Sequence, residues 1–268
     1  MTVTTTYNFL FEGNRLSYQK QGTGRSMLLA FHGFGQSSLA YKSFNSLAGN
    51  QFTVFAIDLF FHGNSQYVSR KLLTKSDWQR LIGAFLQDQS IHRFSLIGFS
   101  LGGRFALATV EAFADRLDQL ILIAPDGITR NGWYSLATNS GVGRWLFRYL
   151  LRHLPMLTAI GHTMTQLGLL NRTVMRFAEI SLGTSEQRDL VYRSWTQFRL
   201  IHPSLKTIDN LLDTYPVQVR FFTGAFDRLV PGTYISPLTK RLRHYELTVF
   251  KTGHNHLIEL TAEKLSQE

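Results

Sequence analysis

Six short apolar runs, each closed by turn-forming residues, constrain this chain more than any other feature. They are Met27–Phe31, Thr53–Ile57, Arg93–Gly98, Leu120–Ala124, Val217–Thr223 and Tyr245–Phe250. Continuous apolarity without strict alternation is the pattern of strands buried on both faces of a parallel sheet. Helical patterns fall between them. The clearest is "SDWQRLIGAFLQD", where Trp78, Leu81, Ile82, Phe85 and Leu86 recur at i, i+3, i+4, i+7 and i+8. Strand alternating with helix predicts an α/β protein with a doubly wound, mostly parallel sheet. Two further stretches, Val3–Phe9 and Arg15–Lys20, read as an opening hairpin turning at "EGN", with a turn-forming Gly-Asn pair.

The alternation stops between Gly127 and about Lys206, a long helix-like stretch with no convincing strand. The expected organisation is therefore a core of residues 1–126 and 207–268 carrying a helical lid of residues 127–206. Within the lid, "RWLFRYLLRHLP" sets Arg144, Arg148 and Arg152 four apart on one helical face, with Trp145, Phe147, Leu150, Leu151 and Leu154 around the rest. Such a basic amphipathic helix either touches anionic lipid or packs its apolar face on the core and exposes its arginines. The second reading is the expectation, with Trp133, Tyr134, Trp145, Phe147 and Tyr149 supplying an apolar pocket wall.

Composition removes several classes of function. With no cysteine among 268 residues, disulfides, thiolate metal sites and cysteine nucleophiles are excluded. The N-terminus has no charged region followed by an apolar run, and no segment reaches about eighteen consecutive apolar residues. The expectation is a cytoplasmic protein without stable membrane association. The formal charge is +10, but the basic residues are dispersed, which gives no ground for nucleic-acid binding. No dinucleotide glycine fingerprint, phosphate-binding loop or metal-ligand spacing appears, so no cofactor or metal is expected. The partner expected is a small-molecule substrate, and oligomeric state is not legible.

The stretch "GFSLGGR", Gly98 to Arg104, follows an apolar strand and opens a helical pattern over Leu101–Ala114. A free serine hydroxyl is a weak nucleophile and needs a base within hydrogen-bond reach and donors for the developing oxyanion. The strand, sharp turn and helix supply the context in which Ser100 acts as a nucleophile, with Gly98 and Gly102 where side chains have no room.

At these residues the chain resembles the α/β-hydrolase superfamily over nearly all of its length outside the lid. "FHGFGQS", Phe31 to Ser37, resembles the family's His-Gly loop, which implies oxyanion donors from the backbone N–H groups of Phe34 and Leu101. "DLFFHGNS", Asp58 to Ser65, is similar to the family's Asp-x-x-Gly-His-Gly-x-Ser segment, with Phe61 where a glycine is usual; Asp58 and His62 are expected to be structural. "FFTGAFDRLVP" implies Asp227 as the acid, with Asp126 in "IAPDG" the competitor. "FKTGHNHLIEL" implies His254 as the base, with His256 as a helix-capping or rim residue. The order Ser100, Asp227, His254 matches the family's nucleophile, acid and base.

Arg104 is the least settled position. "GFSLGGR" with "HGFGQS" also resembles the menaquinone-pathway synthases, a lyase branch of the same fold in which the matching arginine helps bind a substrate carboxylate. Against that branch, Phe99 stands where its tyrosine is usual. Arg104 thus pairs with a nearby protein acid or contacts a substrate anion, with Phe99 and Trp145 as further candidate substrate contacts. The leading expectation is a serine hydrolase of a small, largely apolar ester or related acyl compound. Its rivals are the lyase and a non-catalytic ligand receptor on the same frame.

Overall fold

The computed structural model describes residues 5–46, 51–129, 132–153 and 172–267. Val3, Thr4, Leu154 and the side chain of Trp133, named above, lie outside the described residues. The chain forms two compact units, Met1–Thr129 with Ile201–Glu268, and Arg130–Leu200. The joins fall at 129/130 and 200/201 rather than at 126/127 and 206/207, because the flanking residues are tied into the first unit. The α-carbon of Gly127 lies against Arg104, Ile201 is wholly buried, and the Ser204 N–H donates to Glu111.

The first unit holds an eight-stranded sheet: β1 (Thr6–Phe11), β2 (Asn14–Gln21), β3 (Ser26–Phe31), β4 (Phe52–Ile57), β5 (Phe94–Phe99), β6 (Leu117–Ile123), β7 (Gln218–Gly224) and β8 (Glu246–Phe250). Their spatial order is β1-β2-β4-β3-β5-β6-β7-β8, with β1 and β2 antiparallel and the rest parallel from β4 onward. All six residues of β5 are buried, as an apolar central strand requires. The β1–β2 turn centres on Glu12 and Gly13, both at positive φ, one residue earlier than the Gly-Asn pair read from the sequence. Two successive left-handed residues match the right-handed twist of a two-residue hairpin.

On one face of the sheet lie α1 (Lys75–Asp88) and α2 (Leu101–Phe113). Thr74 and Asp77 close a capping box at the start of α1, which buries Trp78, Leu81, Ile82, Phe85 and Leu86. Trp78 packs edge-on between Phe31 of β3 and Phe105 of α2, with ring centroids 5.5 and 4.8 Å away. The opposite face is covered by Tyr41 and Phe44 of a 3-10 segment and by Leu257, Ile258 and Ala262 of the C-terminal helix (Leu257–Ser266).

In the second unit the described residues are helical: α3 (Gly132–Asn139), α4 (Gly141–Arg152), α5 (Arg172–Leu182) and α6 (Ser185–Gln197), with a 3-10 turn over Phe198–Leu200. Here α4 differs from the expectation that its apolar face is covered. Phe147 packs on Trp195 and Tyr192 of α6, Leu151 is buried, and the Arg148 guanidinium sits 4.4 Å above the Tyr192 ring. The helix packs through this mixed face, and Val142, Trp145, Leu146, Tyr149 and Leu150 are exposed.

Candidate active site

The parallel strands of the first unit end at one edge of the sheet, and the loops leaving that edge carry the candidate residues. In register, Phe31 lies beside Gly98, Phe99 beside Ile123, and Gly224 beside Phe250. Loops after the carboxyl ends of parallel strands are where this architecture binds ligands.

Ser100 joins β5 directly to α2. Its φ of 50° and ψ of −117° put a non-glycine residue in a sparsely populated region, which costs on the order of 1–3 kcal/mol. The surrounding structure fixes the turn: the Ser100 N–H donates to Ile123 O (3.0 Å), and Ser100 O accepts from the N–H groups of Gly103 (2.9 Å) and Asp126 (2.8 Å). The glycines allow the close approach, since a Cβ on Gly98 would lie 2.6 Å from Gly102 O and one on Gly102 only 1.9 Å from Phe31 O. Leu101 opens α2, so its N–H belongs to the first turn, which has no intrahelical acceptors and carries the positive end of the helix dipole.

Asp227 follows β7 and is held by both carboxylate oxygens. Oδ1 accepts from the N–H groups of Leu229 and Val230, each at 2.9 Å, and Oδ2 pairs with Nδ1 of His254 at 2.6 Å. The carboxylate is wholly buried. Holding Nδ1–H in this way leaves Nε2 of His254 as the basic nitrogen. The imidazole lies 4.7 Å from the ring of Phe99, the residue before Ser100, and the α-carbon of Gly33 packs on the same side chain. Phe99 thus brings together the His-Gly loop, the end of β5 and His254. It is itself almost fully buried.

The remaining candidates have other neighbours. Asp126 forms an ion pair with Arg104, and its other oxygen accepts from the Gly127 N–H at 2.7 Å. The Arg104 side chain is buried, so this pairing with a protein acid is the first of the two roles left open by the sequence. His256 occupies the N-cap position of the C-terminal helix without a side-chain capping bond, and it is exposed. Trp145 belongs to the second unit, where it stacks on Tyr149 and stands two-thirds exposed. Among the described residues no group of three or more acidic or histidine side chains is placed to hold a metal ion.

The sequence reading missed the part played by His32. Its Nε2 accepts from the Leu59 N–H (3.0 Å), so Nδ1 carries the proton and donates to Gly33 O (2.7 Å). In a trans peptide the C=O and the following N–H point opposite ways, so anchoring Gly33 O aims the Phe34 N–H away from His32. Burial pushes the His32 pKa down to about 3, with His62 adding in the same direction, and keeps the ring neutral. A histidine directly after an apolar strand, inside a glycine turn, was the available signal. The neighbouring loop is held by Asp58, which accepts from the N–H groups of Ser38 (2.6 Å) and Asn64 (2.9 Å). His62 is buried beside Phe34 and His32. Phe61 adopts a φ of 69°, so the loop keeps the left-handed path a glycine would take, while its ring meets Tyr67.

Residues 27–259 match the family model of the alpha/beta hydrolase fold. The chain belongs to this family. Among curated relatives, an uncharacterized protein of Mycobacterium tuberculosis is 30% identical over 119 residues, covering 44% of this chain and 34% of the relative. A pimeloyl-acyl-carrier-protein methyl ester esterase of Pectobacterium carotovorum is 29% identical over 120 residues, covering 44% of this chain and 45% of the esterase. The matched segment thus spans less than half the length of these relatives. A solved esterase from Thermogutta terrifontis superposes with a TM-score of 0.68 over 98% of this chain and 96% of that chain, at 18% identity, a likeness of fold alone. The α/β-hydrolase fold accounts for the strained serine turn at the end of the central strand: a strand-to-helix elbow exposes its middle residue above the sheet.

Proposed function

We propose that the chain is a serine hydrolase that cleaves an ester or related acyl bond of a small, largely apolar substrate. The observation that carries this reading is the 2.6 Å hydrogen bond that His254 Nδ1–H donates to the buried Asp227 carboxylate, the His254 ring lying against the residue preceding the strained Ser100 turn. Ser100 Oγ attacks the acyl carbon while His254 Nε2 takes its proton. The N–H groups of Phe34 and Leu101 stabilise the oxyanion, and the leaving alcohol departs with the proton from His254. Water, deprotonated by the same imidazole, then releases the acid and restores Ser100. Asp227 keeps His254 in the tautomer this cycle needs. The esterase among the relatives supports the same class of reaction.

A lyase that clamps a substrate carboxylate with Arg104 is less well supported, because Asp126 already occupies that guanidinium. The test is pre-steady-state hydrolysis of p-nitrophenyl acetate and butyrate. A burst of nitrophenol equal to the enzyme concentration, absent in Ser100→Ala, is expected. Undiminished turnover in Ser100→Ala overturns the assignment. Failure of a fluorophosphonate probe to label Ser100 in the native chain would favour a ligand-binding role without chemistry.

A further inference from the structure

An exposed apolar stripe runs along α4. Val142, Trp145, Leu146, Tyr149 and Leu150 recur at i, i+3, i+4, i+7 and i+8, so they form one continuous face along a helix of about 18 Å. Val142 is 75% and Trp145 66% exposed, and Leu136 of α3, whose carbonyl lies against Gly143, is 64% exposed. Trp145 and Tyr149 stack at 5.8 Å, and His153 stacks on Tyr149 in turn, so the aromatic part of the stripe is already ordered. Isolated exposed apolar residues need no explanation, but a contiguous helical stripe marks a binding surface.

The charge around the stripe selects its occupant. Between residues 130 and 200 the sequence has nine arginines, no lysine and three acids, Glu179, Glu186 and Asp189, a surplus of six out of the chain's +10. Arg148 and Arg152 are exposed along one edge of the stripe, while Arg144 turns back to Thr138 O (2.9 Å). Guanidinium groups bind phosphate oxygens through paired hydrogen bonds. A second copy would bring two cationic surfaces together, and a nucleic acid would set phosphates against apolar side chains. An anionic bilayer meets both needs, offering phosphates to the arginines and an acyl boundary to Trp145, Leu146 and Tyr149. Among the described residues no helix is long and apolar enough to cross a membrane, so the contact lies in the plane of the surface.

We infer that α4 is an interfacial helix that docks this unit reversibly on anionic phospholipid. This goes beyond the proposed hydrolysis and does not depend on it. It also departs from the sequence-based expectation of no stable membrane association.

The test is co-sedimentation of the full chain with phosphatidylcholine vesicles, with and without phosphatidylglycerol, at low and high salt. Binding to the anionic vesicles at low salt is expected to weaken at least about tenfold in pure phosphatidylcholine or at high salt. Trp145→Glu/Leu146→Glu should lose at least about tenfold of that binding with its melting temperature unchanged, and Arg148→Gln/Arg152→Gln should lose several-fold. No binding to anionic vesicles, equal binding to neutral ones, or unaltered binding by both double variants overturns the proposal. A dimer in vesicle-free solution that Trp145→Glu dissociates, with no lipid binding, assigns the stripe to a second copy instead and overturns it too.

Discussion

Replacing His32 by leucine tests whether the Gly33–Phe34 loop is held as described. The imidazole is fully buried and makes two hydrogen bonds, to Gly33 O and from the Leu59 N–H. Leucine has a similar volume, so little cavity opens, but the Leu59 donor loses this acceptor and Gly33 O keeps only the longer bond from the Gln36 N–H (3.3 Å). At about 1–3 kcal/mol for each buried group left short of a partner, the cost is about 2–5 kcal/mol. The urea midpoint should fall by about 1–2 M at a slope of about 2–3 kcal/mol per M. The freed Gly33–Phe34 peptide no longer aims its N–H, and if that N–H is the oxyanion donor proposed above, its loss should cost about 10²–10³ in kcat with KM little changed.

A pH series adds a third readout. His32 has its pKa depressed to about 3 when folded, whereas an unfolded imidazole titrates near 6.5. Between those values the unfolded chain binds the extra proton, so stability is full above about pH 6.5 and falls with acidification, on the order of 1 kcal/mol per pH unit. His62, also lowered by burial, acts in the same sense. The leucine variant should therefore show a shallower acid slope. A folded His32→Leu protein with kcat within about threefold of wild type and an unchanged acid slope would refute the reasoning.

Three other substitutions probe the rest of the site. In Asp227→Asn the retained oxygen still accepts from Leu229 and Val230, which turns the amide NH2 toward His254 and forces the wrong tautomer; kcat for a p-nitrophenyl ester should fall about 10⁴-fold. Gly102→Ala would place a methyl 1.9 Å from Phe31 O and push α2 off β3, lowering stability in thermal unfolding by about 3 kcal/mol or more. Arg104→Met should cost about 1–3 kcal/mol, since Asp126 is one-third exposed and can rehydrate, and should slow neutral and carboxylate-bearing esters alike. A selective loss on the carboxylate-bearing esters would instead assign Arg104 to substrate.

The strands and the faces of α1 were legible because burial on a sheet leaves a direct mark on composition: every apolar residue counted on α1 is inside, and all six apolar runs are strands. The hairpin turn was misplaced by one residue because Glu12, not a residue that favours left-handed backbone, takes the positive φ. Spacing alone could not separate Asp126 from Asp227, since both follow strand ends. Only the fold puts Arg104 beside one and His254 beside the other. The packing face of α4 was unreadable for a related reason. Tyr192 and Trp195 make a mixed face containing Arg148 a good partner, and hydrophobic periodicity marks an apolar stripe without saying whether anything covers it.

The residues gathered by Phe99 come from Gly33 to His254, and they meet only where β3, β5, β6, β7 and β8 lie side by side. Each of these pairings is parallel, so each closes a long loop before it gains a contact, which makes assembly of this edge slow relative to helix formation. In a refolding experiment, labelling of Ser100 should therefore return after helical ellipticity, and reactivity at this serine serves as a clock for completion of the sheet.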